Sequence, residues 1–254
     1  MFDELAGKRV LVTGASRGIG AAVARRLGAF GAHVAVHYHS SEARAREVRD
    51  AIVESGGNAV MVKGDVSRSD EASAVVDSAA EQLGGLDVLV NNAGDMLGRV
   101  KLDEIDDAHY DRVMDLNVRS VVTASHAALP YLRRSGGGSI VHTSSIAARN
   151  GGGPGAGFYA SAKGFVSTLT RNMAKELAGD NIRVNAVAPG TIATDFHERY
   201  SNEAQLEAAR ATIPQGRLGT AEDCVGAYLF LISDGMSGYV TGQVIEVNGG
   251  QLMP

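Results

Sequence analysis

Short runs rich in valine and isoleucine alternate with longer stretches of helical periodicity along the whole chain. Residues 9–13, 33–37, 59–63, 86–91, 139–143, 182–187 and 243–247 are apolar through their centres and too short for buried helices, so they predict strands. Between them, residues 20–30 place Val23, Leu27 and Phe30 at helical spacing. Residues 41–55 predict a charged helix capped by Ser40 or Ser41. Further helices are expected over 69–83, 107–134 (with Pro130 near its last turns), 158–178 and 221–233. Strands alternating with helices predict a seven-stranded parallel sheet covered on both faces, an α/β doubly wound fold. Ligands of such folds sit beyond the C-terminal ends of the strands. No Pro-, Ser- or charge-rich linker divides residues 1–254, so one domain is expected.

Composition narrows the function classes. The net charge of −5 over 254 residues gives no global attraction to nucleic acid or to anionic membranes. No run approaches the length of a membrane span, and MFDELAGKRV lacks the apolar stretch of a signal peptide. The single cysteine, Cys224, excludes an intrachain disulfide and fits a cytoplasmic setting.

The first chemical signal is TGASRGIG at residues 13–20, between the first strand and the first helix. Gly14, Gly18 and Gly20 permit a tight turn and close approach of a pyrophosphate to backbone N–H groups at the helix N-terminus. Thr13, Ser16, Arg17 and Ile19 complete the loop. NAD-binding chains usually carry Asp or Glu at the end of the second strand, to hold the ribose 2′-OH. Here that region offers Tyr38, His39 and Ser40, none of them acidic, and Arg17 lies where a 2′-phosphate would sit. NADP(H) is therefore the preferred cofactor, with NAD(H) an option; the alternative for Arg17 is a solvated loop charge. His33, His37 and His39 share one strand parity, but no further ligand converges on them, and no metal site is expected.

From here the chain resembles the short-chain dehydrogenase/reductase family over nearly its whole length. TGASRGIG resembles that family's cofactor loop, and 64-GDVS-67 the segment whose Asp65 and Val66 flank the adenine. The run 91-NNAG-94, with Asn92, Ala93 and Gly94, resembles the segment bordering the cofactor. Asn117 in DLNVRS, the pair 144-SS-145, 159-YASAK-163, 188-APGTIAT-194 and 241-TGQVIEVNGG-250 follow in the family's order. The resemblance implies a Rossmann-like fold and a catalytic tetrad of Asn117, Ser145, Tyr159 and Lys163. In it, Tyr159 is the general acid/base for hydride transfer between a nicotinamide cofactor and a carbonyl or secondary alcohol. Tyrosine ionises too high to be an efficient acid or base near neutrality, and an ammonium four residues on, on the same helix face, is expected to lower that value. By the same resemblance Ser145, rather than its neighbour Ser144, orients the substrate oxygen, Lys163 also holds the nicotinamide ribose, and Asn117 bends its helix and anchors a proton-relay water. Pro189, Gly190, Ile192 and Thr194 would meet the nicotinamide end.

Residues 195–216 are polar and alanine-rich and read as a helical lid. Phe196, His197 and Tyr200 line the substrate there, or are simply solvated. Two further functions compete: a 3-oxoacyl-carrier-protein reductase, and a catalytically silent dinucleotide sensor or scaffold. Basic Arg133 and Arg134 favour a carrier-protein role, whereas Asp180 and Asn181 stand where such reductases often carry a basic residue. An intact tetrad argues against the silent sensor. The family's usual assembly implies a homotetramer acting on a small molecule.

Overall fold

The computed structural model describes residues 3–253. Seven parallel strands form one sheet in the order β3-β2-β1-β4-β5-β6-β7: β1 (Arg9–Val12), β2 (His33–Tyr38), β3 (Asn58–Lys63), β4 (Val88–Asn91), β5 (Gly138–Thr143), β6 (Ile182–Pro189) and β7 (Val244–Val247). The order reverses at β1, which pairs with β2 on one side and β4 on the other. The connections leave β1 and β4 toward opposite sides there, and the resulting crevice is where doubly wound sheets take ligands.

The strands alternate faces, as their period of two requires. Val10, Val12, Val34, Val36, Val88, Val90, Val141 and Val187 face one layer, packed by α1 (Gly18–Ala29) and α2 (Glu42–Glu54). Leu11, Ala35, Leu89, Ile140 and Val184 face the other, covered by α3 (Ser69–Leu83) and by helices of the segments after β4 and β5. Both faces are covered, which is why the strands read as continuous apolar runs.

The helix expected over 107–134 is three pieces: α4 (Asp107–Met114), a π-helical turn over Asp115–Arg119, and α5 (Ser120–Arg134). Asp106 caps α4 by accepting the His109 N–H at 2.7 Å. The π turn is anchored by Asn117, which is fully buried. After β5 comes a short helix that periodicity did not predict, α6 (Ala147–Asn150), and then α7 (Gly157–Leu177). The segment read as a lid is two short helices, α8 (Asp195–Tyr200) and α9 (Glu203–Ala211). A capping box between Asn202 and Gln205 starts α9. A second, between Thr220 and Asp223, starts α10 (Ala221–Ile232), which packs beside α1. Among the described residues no helix is long and apolar enough to cross a membrane.

Candidate active site

A cavity of about 770 Å³ opens at the C-terminal edge of the sheet and runs from the α1 loop to α9. Its first half is a dinucleotide cradle. Gly14 and Gly18 both adopt the left-handed conformation, with φ of +64° and +56°. Arg17, the residue before α1, makes no side-chain cap, so the first N–H groups of the helix keep no side-chain partner. An uncapped, 12-residue helix facing a cavity fits a pyrophosphate. His37 shapes this loop from below: its Nδ1 accepts the Gly14 N–H at 2.9 Å and its Nε2 pairs with the Gly64 carbonyl at 3.1 Å. Burial pushes the His37 pKa down to about 4, so the ring stays neutral and can accept. Both nitrogens are occupied, so the histidine that parity placed in a possible metal cluster is a backbone brace instead. Thr13 Oγ1 likewise accepts the N–H groups of Asn92 and Ala93, at 2.9 and 3.0 Å, tying the end of β4 to the loop.

Ser16, Arg17, Ile19, Tyr38, His39, Ser40, Asp65, Val66, Asn92, Ala93, Gly94, Pro189, Gly190, Ile192 and Thr194 all line the cavity, together with Gly14 and Gly18. Gly20 does not. A methyl group there would stand 2.4 Å from Asn92 Nδ2 and 2.6 Å from the Gly14 carbonyl oxygen. The absence of a side chain there lets α1 approach the strand ends. Arg17 Nη1 lies 3.8 Å from Asp195, which is hydrogen-bonded to Arg44. Sequence reasoning missed the exposed Arg44, because nothing in a charged helix marks which arginine pairs with Asp195.

The second half holds the candidate chemistry. Ser145 and Tyr159 both line the cavity, and the serine hydroxyl favours ionisation of the Tyr159 phenol. Ser144 turns away, its hydroxyl spent on the Lys163 carbonyl at 3.1 Å and on Ser167 at 2.7 Å. Lys163 is buried and donates from Nζ to the Thr143 carbonyl at 2.9 Å, which leaves the ammonium 5.6 Å from the Tyr159 ring centroid. Asn117 does not line the cavity. Its amide donates to the Asp95 and Val113 carbonyls at 2.7 and 2.9 Å, and its oxygen accepts the Asp95 N–H at 3.2 Å. It positions the loop after β4. A methyl on Gly94 would be 2.8 Å from Asn117 Oδ1 and 2.9 Å from Lys163 Nζ, so these three are packed in one column.

The electrostatics correct one expectation. Spacing predicts that Lys163 lowers the Tyr159 pKa. Burial instead pushes it up to about 12, with the Ser145 hydrogen bond opposing and the Asp95 charge adding to the rise. Burial also pulls Lys163 down to about 8, against the attraction of Asp95. Desolvation is the largest cause for both groups. The phenol is thus fully protonated at neutral pH, the form that donates a proton to a carbonyl oxygen.

Phe196 and His197 of α8 line the cavity. Phe196 packs on Tyr159 at 5.5 Å between ring centroids and on Tyr200 at 5.2 Å. Tyr200 itself stands behind this wall. Arg133 pairs with Asp180 at 2.7 Å, where β5 and β6 begin. Within the chain that is the opposite end of the sheet from Ser145.

Residues 14–251 match the family described as enoyl-(acyl carrier protein) reductase. A 3-oxoacyl-[acyl-carrier-protein] reductase from Staphylococcus aureus is 40% identical over 250 residues, covering 97% of this chain and 98% of its own. Among solved structures, an NADH-dependent reductase complexed with NAD superposes with a TM-score of 0.89 at 42% identity and full coverage of both chains. A short-chain dehydrogenase from Burkholderia cenocepacia in complex with NADP gives a TM-score of 0.90 at 37% identity, covering 97% of this chain and 98% of its own. The chain belongs to the short-chain dehydrogenase/reductase family and is an NAD(P)-dependent oxidoreductase acting on alcohol or carbonyl groups.

Proposed function

We propose that this enzyme reduces a small-molecule carbonyl with NADPH, with Tyr159 as the proton donor. The observation that carries the reading is that Ser145 and Tyr159, backed by the Lys163 ammonium, line one cavity continuous with the dinucleotide cradle. The nicotinamide cofactor, held by the α1 loop, Asn92–Gly94 and Pro189–Thr194, supplies the hydride when bound. Ser145 directs the substrate oxygen toward Tyr159, whose phenol gives up its proton as charge develops there. The phenolate that results sits beside the Lys163 ammonium, which stabilises it. Asn117 acts as a positioning residue through Asp95 and Gly94. Residues 195–216 form the lid, and Phe196 excludes water from the reacting atoms.

The choice of NADPH rests on the absence of a carboxylate from Tyr38 to Ser41 and on the two guanidinium groups, Arg17 and Arg44, at that end. A 2′-phosphate accepting charge-assisted hydrogen bonds there is expected to raise kcat/KM for NADPH over NADH at least about tenfold. Arg17→Ala is expected to remove most of that ratio. A preference for NADH in the wild-type enzyme overturns the assignment.

Reduction of a 3-oxoacyl carrier-protein thioester is a second reading, favoured by the 40% identity to such a reductase. Comparing 3-oxoacyl thioesters with free ketones of equal length separates the two. The exposed Val122 of α5 and Phe165 of α7 support a homotetramer built on these helices. The single, buried Cys224 fits the cytoplasm.

A further inference from the structure

Apart from Lys163, already placed beside Tyr159, the substrate half of the cavity holds among the described residues one cation with no carboxylate within ion-pairing distance. Asp95 and Arg199 neutralise each other at 2.6 Å. Burial and the charge of Arg99 lower the His197 pKa, and Nδ1 of its ring lies 3.0 Å from Ser201 Oγ, so this residue is neutral near pH 7. Arg99 remains. Its Nε donates to the Tyr200 carbonyl at 2.8 Å and its Nη1 to the Pro154 carbonyl at 3.1 Å. No carboxylate among the described residues lies within ion-pairing distance, and Nη2 has no protein partner yet is not sealed from the cavity. Two neutral carbonyls hold the guanidinium in place without cancelling its charge.

The backbone around Arg99 is built to present it. Leu97 adopts a left-handed conformation at φ +58°, a strain that a leucine tolerates only where its surroundings enforce it. The loop before α7 lies directly over the arginine. A methyl at Gly155, itself at φ +77°, would be 3.0 Å from Arg99 Cβ. Arg99 therefore joins the loop after β4, the loop before α7 and the end of α8. The ring contacts from Tyr159 through Phe196 to Tyr200, whose carbonyl Arg99 holds, lead from the candidate proton donor to it.

We infer that the substrate is an oxo acid whose carboxylate binds Arg99 while its carbonyl lies at Ser145 and Tyr159. This rests on the carbonyl-reductase reading above and names its substrate class. A carboxylate matches the fork of one guanidinium and needs one countercharge. A phosphate monoester would carry a second negative charge, for which the single Arg99 guanidinium offers no second countercharge.

The test uses the full-length enzyme with 4-oxopentanoate and 5-oxohexanoate, their methyl esters, and a ketone phosphate monoester of similar length. Both kcat/KM with NADPH and equilibrium binding to the enzyme–NADP⁺ complex are read, for wild type, Arg99→Lys and Arg99→Met. At least one acid is expected to bind and react about 10- to 100-fold better than its ester, the size of hydrogen bonds to a charged group. Arg99→Met should bring acid and ester within about threefold of each other, and Arg99→Lys should restore part of the preference. If Arg99 only clips the loops together, its loss lowers acid and ester alike and the ratio stays put, which overturns the proposal. It is also overturned if no acid binds better than its ester, or if the phosphate monoester is preferred. Acids that bind through Arg99 without being reduced would count against the carbonyl-reductase reading and leave the anion site standing.

Discussion

Replacing Tyr159 with phenylalanine is expected to lower kcat for carbonyl reduction about 10²- to 10⁴-fold, the usual contribution of a positioned general acid. Phenylalanine keeps the ring packed on Phe196, 5.5 Å away, and keeps its place on α7, so the fold and the lid contact survive. Only the phenolic hydroxyl and the influence of Ser145 on it disappear. The KM for NADPH is expected to change by less than about tenfold, because the pyrophosphate cradle and Lys163 are untouched. Steady-state kinetics at saturating NADPH, with the fold checked by circular dichroism, measure the effect. A variant that retains full turnover would remove Tyr159 from the chemistry.

Acidification from about pH 7 to about pH 5 is expected to cost the fold about 4 kcal/mol through His37 and His142 together. In the unfolded chain each imidazole takes up a proton near its ordinary 6.5, whereas burial holds folded His37 down to about 4 and folded His142 down to about 3. Between those values the unfolded state binds more protons. Stability is therefore intact above the unfolded value and falls with pH, at about 1.4 kcal/mol per pH unit for each ring. His39 lowers the His37 value further, opposed by Asp65 and by the hydrogen bond to Gly64. Lys163 adds to the lowering at His142. Nδ1 of His142 takes a contact from Asn91 at 3.2 Å, while its Nε2 is buried without a partner, so the ring has no group ready to accept a second proton's hydrogen bond. His197 adds in the same direction. The carboxyls of Asp87 and Asp234 are held below 3.8 and act at lower pH. Urea denaturation at one protein concentration and both pH values gives the difference. His142→Asn is expected to abolish about half of it, and a stability unchanged over this range would show that the rings are not held neutral.

The strands and the glycine loop were legible because their signals are local. A buried strand needs a short apolar run, and a phosphate-binding turn needs glycines at fixed offsets beside a helix start. The parts that depend on remote partners were not. The π turn at Asp115–Arg119 is anchored by Asn117 bonding Asp95 and Val113, which helical periodicity cannot report. His37 reads as one of three aligned histidines until Gly14 and Gly64 are brought to its two nitrogens. Gly20 carries the motif but serves packing against Asn92. Spacing put Lys163 near Tyr159 and the structure keeps it there, yet spacing carries no dielectric, so the direction of the Tyr159 shift was unreadable. Arg99 has no motif at all. Its meaning comes from the absence of a countercharge around it.

Hydride transfer coupled to Tyr159 is the central claim, and tracing deuterium tests it most directly. The enzyme is supplied with NADPH carrying deuterium at one face of C4, then separately at the other, together with the oxo-acid panel, and the alcohol product is analysed by mass spectrometry and NMR. The account predicts one deuterium on the former carbonyl carbon from a single face of the cofactor, and none formed at a comparable rate by Tyr159→Phe. Product without deuterium from either face, or an equal rate from the phenylalanine variant, would contradict it.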